Sequence, residues 1–372
     1  MIKISIAGDL CPRGRASEVV NNGDFGYFRN IQQVINGADY SLVNLECPII
    51  DEGNAIKKMG PNLKASNKTI DLIKYCGFSG VTLANNHFYD FGEEGVRQTI
   101  QVCKENGLDI VGGGEKLSAA QTILYKKIKD KTIAFVNVCE FEFSIATSNS
   151  AGSNPIEPIR NYYDIQRAKE QADYVLVVIH GGHEHYQLPS PRMQDTYRFF
   201  IDAGADAVIN HHQHCYSGYE FYKDKPIVYG LGNFYFEHPK KRNDKWNEGY
   251  IVQLDLDDKI GLSLIPYIQC NEKPTVELLD EKQKEAFYDS ITRLNDIIQN
   301  RVLLESNFET FCKSKQRLYM SVLEPYPSIY LKFLYRKSFL PSLLKGKSYY
   351  FVKNFIMCES HLDVIKTLLR KR

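Results

Sequence analysis

The chain has 372 residues, enough to bury a full hydrophobic core in one large domain with an appendage or in two domains. Its 46 Lys/Arg against 45 Asp/Glu leave a formal charge of +1, without the basic excess that non-specific nucleic-acid binding requires. An apolar fraction of 43% with 12% aromatics excludes a disordered chain.

The first element is an apolar run over residues 2–7, which reads as a strand because Gly8 and Asp9 follow it too soon for a signal peptide. Similar β-branched runs over 40–45, 80–84, 132–138, 174–179, 207–209 and 226–231 predict short buried strands. Helical spacing falls between several of them, over 27–35, 67–76, 94–105, 165–172 and 193–203. The alternation predicts an α/β sheet with helices outside. Residues 152–158, rich in Pro, Gly, Ser and Asn, predict a surface loop. Two late runs, 250–256 and 262–267, flank a hairpin turn, so the sheet is expected to end antiparallel.

After about residue 275 the pattern becomes helical, with Phe287, Ile291, Leu294, Ile298 and Val302 in step. The expected division is therefore a domain over 1–270 and a helical, basic extension over 275–372. Residues 331–372 carry ten Lys/Arg against Glu359 and Asp363, so this tail holds +8 and the remainder −7. Interleaved aromatic and aliphatic residues suit either packing on the parent domain or contact with an anionic membrane or a polymer synthase. Nine scattered cysteines without a CxxC pair point to a reducing compartment. No window reaches the roughly 18 apolar residues of a membrane span. A cytoplasmic chain is expected, with membrane contact only as a peripheral association at the inner face.

In a parallel sheet, ligand groups gather just past the carboxyl ends of the strands. Here those positions carry Asp9, Glu46, Asn86 and His87, His180, and His212 and His214. Eight of the nine histidines lie between 87 and 238, six of them in two short clusters after strands. One histidine after a strand is ordinary; carboxylate, amide and imidazole groups at successive strand ends form a mixed O/N set. That set suits two divalent ions such as Mn, Fe or Zn. Two metals about 3.5–4 Å apart can clamp an in-line displacement and generate hydroxide at neutral pH. The Gly112-Gly113-Gly114 run has no weight as a dinucleotide motif, because no GxGxxG follows the first strand.

Several neighbours admit two readings. Asp90 either orients His87 for proton transfer or caps the helix that follows. Cys11 is either a soft ligand or a small buried hydrophobe. Arg15, beside Arg13, is placed to hold a phosphate or carboxylate, or is an ordinary surface arginine. Glu184 is either a substrate contact or a solvated carboxylate, and Asn233 is expected to shape the rim of the site.

The ordered segments Gly8-Asp9, Asn44-Leu45-Glu46, Asn85-Asn86-His87, Asp90-Phe91-Gly92, His180-x-Gly-x-Glu184, the run from Gly204 to His214 and Tyr229-Gly-Leu-Gly-Asn233 resemble the CapA/PgsA family of capsule and poly-γ-glutamate synthesis proteins. The resemblance covers about residues 1–270. It implies a branch of the calcineurin-like metallophosphoesterases, with a four-layer αββα sandwich and a dinuclear metal site. Carried over position by position, it puts Asp9, Glu46 and His214 on one metal. Glu46, Asn86, His180 and His212 fall on the other, with His87 against the leaving group. Cys11, Gly181, Asn210 and Gln213 depart from the family pattern. The resemblance implies a phosphoester hydrolase acting on a phosphorylated or polyanionic envelope-polymer intermediate. Two alternatives stand beside it: a non-catalytic assembly or binding component of a membrane-associated polymer synthesis machine, and amide hydrolysis of γ-glutamyl chains.

Overall fold

The computed structural model describes residues 1–357 and His361. The chain enters through β1 (Ile2–Leu10), passes α1 (Arg15–Asn22) and α2 (Arg29–Asn36), and returns as β2 (Tyr40–Leu45). It continues through α3 (Lys68–Cys76), β3 (Gly80–Thr82), α4 (Gly92–Glu105) and β4 (Asp109–Val111). A short β5 (Gly113–Gly114) and α5 (Leu117–Ala120) lead to the hairpin β6 (Leu124–Ile128) and β7 (Lys131–Cys139). Then come β8 (Gly152–Ser153), α6 (Pro158–Gln171), β9 (Tyr174–His180), α7 (Pro191–Asp202) and β10 (Ala207–His211). The remaining strands are β11 (Tyr219–Tyr222), β12 (Lys225–Val228), β13 (Asn233–Tyr235), β14 (Glu248–Leu256), β15 (Gly261–Gln269) and β16 (Val276–Leu278). Four helices close the described chain: α8 (Glu281–Gln299), α9 (Arg301–Leu323), α10 (Ile329–Arg336) and α11 (Gly346–Met357).

The strands form two large sheets. The first runs β16-β15-β14-β1-β2-β3-β4, parallel from β1 to β4 and antiparallel beyond β14, with β13 paired to the end of β1. The second runs β11-β12-β10-β9-β7-β6, with a parallel centre and an antiparallel hairpin at each edge. One core joins them. Ile4 and Ile6 of β1, with Tyr40, Leu42, Val252 and Leu254, meet Phe135, Leu176, Val178 and Ile209 of the second sheet, where the Tyr40 and Phe135 rings lie 5.2 Å apart. A second core lies between the other face of the first sheet and α1–α4, through Ala7, Val43, Ile31, Ile73 and Val96. On the far side Ile165 and Ala168 of α6 and Tyr197 and Phe200 of α7 cover the second sheet. The layers are therefore helix, sheet, sheet, helix, the αββα sandwich that the family resemblance implies. Alternation sorts β1 residues to opposite faces: Ile2, Ile4 and Ile6 enter the first core, and Ala7 enters the second.

Three boundaries differ from expectation. Residues 151–155 are buried, not a surface loop, because β8 pairs with β5 and Ser153 Oγ binds the backbone of the β3 loop. The helix expected over 27–35 opens as a 3₁₀ turn, Phe25–Phe28, before α2. The extension expected over 275–372 starts later. The compact units are Met1–Leu304 and Glu305–Arg372, so the first runs past residue 270. Helix α8 belongs to it because Phe287, Ile291, Leu294 and Ile298 enter the inter-sheet core, and Asn295 accepts the Tyr219 N–H at 2.7 Å. An Asp280/Gln283 capping box fixes its start. Val302, expected on the same stripe, is exposed. In the second unit the basic tail is described only to residue 357 and at His361; Glu359, Asp363 and the last four cations lie outside the described residues. Among the described residues no helix is long and apolar enough to cross a membrane.

Candidate metal centre

The first carboxylate is placed by a bulge. The β1/β2 register shifts between Ala7 and Asp9, so one extra residue re-aims Asp9. Gly8 permits this: a Cβ there would stand 2.0 Å from the Gly232 carbonyl, in the turn before β13. Asp9 is fully buried and accepts Asn44 Nδ2–H at 2.7 Å and the His212 N–H at 3.2 Å. Glu46, one residue past β2, is also fully buried, yet neither of its oxygens receives a hydrogen bond.

The imidazoles come from the second sheet. His180 ends β9, and the loop after β10 turns left-handed at His212 (φ 89°) and again at His214 (φ 53°). A non-glycine residue in that region costs about 1 kcal/mol or more. Both kinks fall on residues that reach the same point. His180 Nε2 lies 3.0 Å from His212 Nδ1, 3.0 Å from Asn86 Oδ1 and 3.6 Å from Glu46 Oε1. His214 Nε2 lies 3.6 Å from the same Glu46 oxygen, and its Nδ1 lies 3.6 Å from Asp9 Oδ2. Two groups of donor atoms result, Asp9 with Glu46 and His214, and Glu46 with His180 and His212, and they share Glu46.

Electrostatics favour a cation between them. Burial, then the Asp9 carboxylate, pushes the Glu46 carboxyl well above its usual range. Burial, then the neighbouring imidazoles of His212, His211, His214 and His87, pushes His180 well down. Burial takes His214 down to about 3 against the opposing pull of Asp9. His180 and His214 are thus neutral and offer lone pairs, and Glu46 has no cationic partner beside it. A buried carboxylate without donors is costly, and a divalent ion among carboxylate, amide and imidazole atoms removes that cost. The residues present therefore fit a divalent cation.

His87 occupies the edge of this cluster, held by the loop after β3. Asn85 Oδ1 accepts its N–H at 3.1 Å, Asn85 Nδ2 donates to the Leu45 carbonyl at 2.8 Å, and Ser153 Oγ lies 2.9 Å from the Asn85 carbonyl. Asp90 Oδ2 is 2.7 Å from His87 Nδ1 and accepts the Leu63 N–H at 2.6 Å. Asp90 is not a helix cap. Phe91 holds that position, and no side chain caps α4. Sequence reasoning missed Lys58, whose Nζ pairs with Asp90 Oδ1 and lies 3.1 Å from His87 Nδ1. Its side chain is 2% exposed, although it sits in a loop with no periodicity to betray it. Asn44, which stands 3.1 Å from His180 Nδ1, was visible only as part of a motif.

The three expected substrate contacts are placed differently. Arg15 pairs with Glu237 at 2.5 Å and donates to the Glu272 and Asn271 carbonyls at 2.8 and 2.9 Å, so it fastens α1 to the segment after β15. Asn233 Oδ1 accepts from His214 Nδ1 at 2.9 Å, which fixes the tautomer that leaves Nε2 free to ligate. Its Nδ2 binds the Trp246 carbonyl at 3.0 Å, and the Trp246 ring lies 4.6 Å from that of His214. Glu184 is exposed near enough for its charge to act on Glu46. Cys11 joins neither donor group: its buried thiol, beside Cys47, is pushed far above its usual range by burial. Asn210 binds the carbonyls of Gly181 and Tyr229 at 2.9 Å, a scaffold role.

Comparison with known proteins bears on the same segments. The family model described as bacterial capsule synthesis protein PGA_cap matches residues 3–238. A capsule biosynthesis protein CapA from Bacillus anthracis is 30% identical over 76% of this chain and 71% of its own length. A PGA biosynthesis protein CapA from Bacillus subtilis is 33% identical over 64% of each chain. Among solved structures, a 5'-nucleotidase from Candida albicans covers 84% of this chain and 57% of its own, at 12% identity and a TM-score of 0.43.

Proposed function

The chain belongs to the PGA_cap family of bacterial capsule synthesis proteins, and from that premise and the site geometry we propose that it is a metal-dependent phosphoester hydrolase. Its substrate is a phosphorylated or polyanionic intermediate of envelope-polymer synthesis. The observation that carries this reading is Glu46, a buried carboxylate without a hydrogen-bond donor, shared by two sets of ligand atoms. The names of the two Bacillus relatives supply the polymer class.

Asp9, Glu46 and His214 would hold one divalent ion, and Glu46, Asn86, His180 and His212 the other. When bound, such a pair supplies positive charge for the transferring phosphoryl group and activates water at neutral pH. Every other step falls to the chain. Asn233 and Asn44 hold His214 and His180 in place, so that their lone pairs converge. Asp90 Oδ2 accepts the Nδ1–H of His87 and orients the ring, and Lys58 pairs with the other Asp90 oxygen. His87 Nε2 is then the atom that donates a proton to the leaving oxygen. Trp246 and Phe236 wall the His214 side and exclude bulk water there.

Hydrolysis of an aryl phosphate monoester and diester with added Mn²⁺, by wild type and His212→Ala, tests the reading. Turnover by the wild type and its loss in the variant are expected. Bound metal without turnover of either ester would contradict it and point to amide chemistry on γ-glutamyl chains or to an assembly role.

A further inference from the structure

Residues 325–357 contain six cations, Lys332, Arg336, Lys337, Lys345, Lys347 and Lys353, and no Asp or Glu. None of the six makes an ion pair among the described residues. The acid that precedes them in sequence, Glu324, does not offset them at the surface. It is buried, and its oxygens accept from Ser342 Oγ at 2.5 Å and from the N–H groups of Leu343 and Leu344 at 2.8 and 3.2 Å.

Helix α10 is inverted relative to an ordinary soluble helix. Its inner side is fixed by Tyr335, which is buried, and by Arg336, whose Nε donates to Ser321 Oγ at 2.9 Å. Its outer side is apolar: Ile329, Tyr330, Phe333 and Leu334, spaced as one helical stripe, are 75%, 79%, 52% and 37% exposed. Lys337 continues that stripe with Nζ 5.8 Å from the Phe333 ring. Phe339 and Tyr350 are exposed in the segment that follows. An apolar stripe edged by unpaired cations buries its rings at a lipid boundary while the ammonium groups stay among the headgroups. Protein interfaces are depleted in lysine, whereas five of these six cations are lysines.

We propose that α10 and the segment running into α11 dock on an anionic lipid surface, inserting the 329/330/333/334 stripe and setting the lysines against lipid phosphates. This surface lies in the second unit and stands independently of the metal centre. The test is co-sedimentation of the full chain with vesicles of phosphatidylcholine and phosphatidylglycerol, against vesicles of phosphatidylcholine alone. Each lysine near such a surface is worth about fivefold in affinity. Binding to the anionic vesicles should therefore weaken at least tenfold without phosphatidylglycerol and fall as salt is raised. Two variants on exposed side chains, Tyr330→Ser with Phe333→Ser, and Lys337→Glu with Lys345→Glu and Lys347→Glu, should each lose at least tenfold. Absence of binding to anionic vesicles, equal binding to both kinds, or unchanged binding by both variants would overturn the proposal. A dimer that Tyr330→Ser with Phe333→Ser dissociates, in a chain that ignores vesicles, would also overturn it, assigning the stripe to a second copy.

Discussion

Glu46 is the residue on which the chemistry turns. Without a cation its carboxylate is an uncompensated buried group, so Glu46→Gln should make the metal-free protein more stable by about 1–2 kcal/mol. The same change should abolish stabilisation by added Mn²⁺, which otherwise reaches about 2.7 kcal/mol at a hundredfold excess over Kd. Thermal melts with and without Mn²⁺ read both, and a destabilised metal-free variant would count against the assignment. Lys58 acts differently, since it faces Asp90 inside the protein. Lys58→Met removes one partner of a buried pair and should cost about 3 kcal/mol in denaturant unfolding. His87→Gln, in contrast, should leave metal content intact and lower kcat by about 10²-fold or more, as loss of a proton donor does; an unchanged kcat would remove His87 from the reaction.

At the scale of elements, each candidate ligand is delivered at or just past a strand end, and the delivery depends on backbone features that pattern reading does not see. The Gly8 bulge and the left-handed turns at His212 and His214 aim the side chains. Gly8→Ala would drive a Cβ into the Gly232 carbonyl and should misplace Asp9, seen as lost Mn²⁺ binding in a calorimetric titration. Ser153→Ala removes the hydroxyl that lies against the Leu83 and Asn85 carbonyls and should cost about 1–3 kcal/mol while weakening metal binding. The strand-end residues were legible because each directly follows a buried apolar run. Ser153 was not, because its Gly/Ser/Asn/Pro surroundings mimic an exposed loop and its burial comes from pairing with a strand nearly 40 residues earlier. Lys58 was hidden for the same reason: its partner Asp90 stands 32 residues away, across α3 and β3. The Asp90 cap failed because Phe91 and Gly92 start α4 unaided, which leaves the carboxylate to His87 and Lys58.

Over the whole molecule, the sandwich brings two sheets together so that Asp9, Glu46 and Asn86 from one face His180, His212 and His214 from the other. An α/β sheet with helices outside was readable from strand and helix alternation; the four-layer sandwich followed only from the family resemblance, because the pairing of the sheets is a tertiary fact that no local period encodes. Helix α8 looked like part of an appendage because its heptad-like stripe resembles any surface helix, yet its apolar side completes the inter-sheet core. A chain ending at Leu304 should therefore keep the metal-free melting of the first unit, and one ending at residue 275 should lose it. The central claim is that one carboxylate organises a two-ion centre across both sheets. Metal content of the purified protein after Mn²⁺ loading, in wild type and Glu46→Gln side by side, tests it most directly. Two ions per chain in the wild type and none retained by the variant are the predicted result; a wild type that holds no ion, or a variant that holds as many as the wild type, would contradict it.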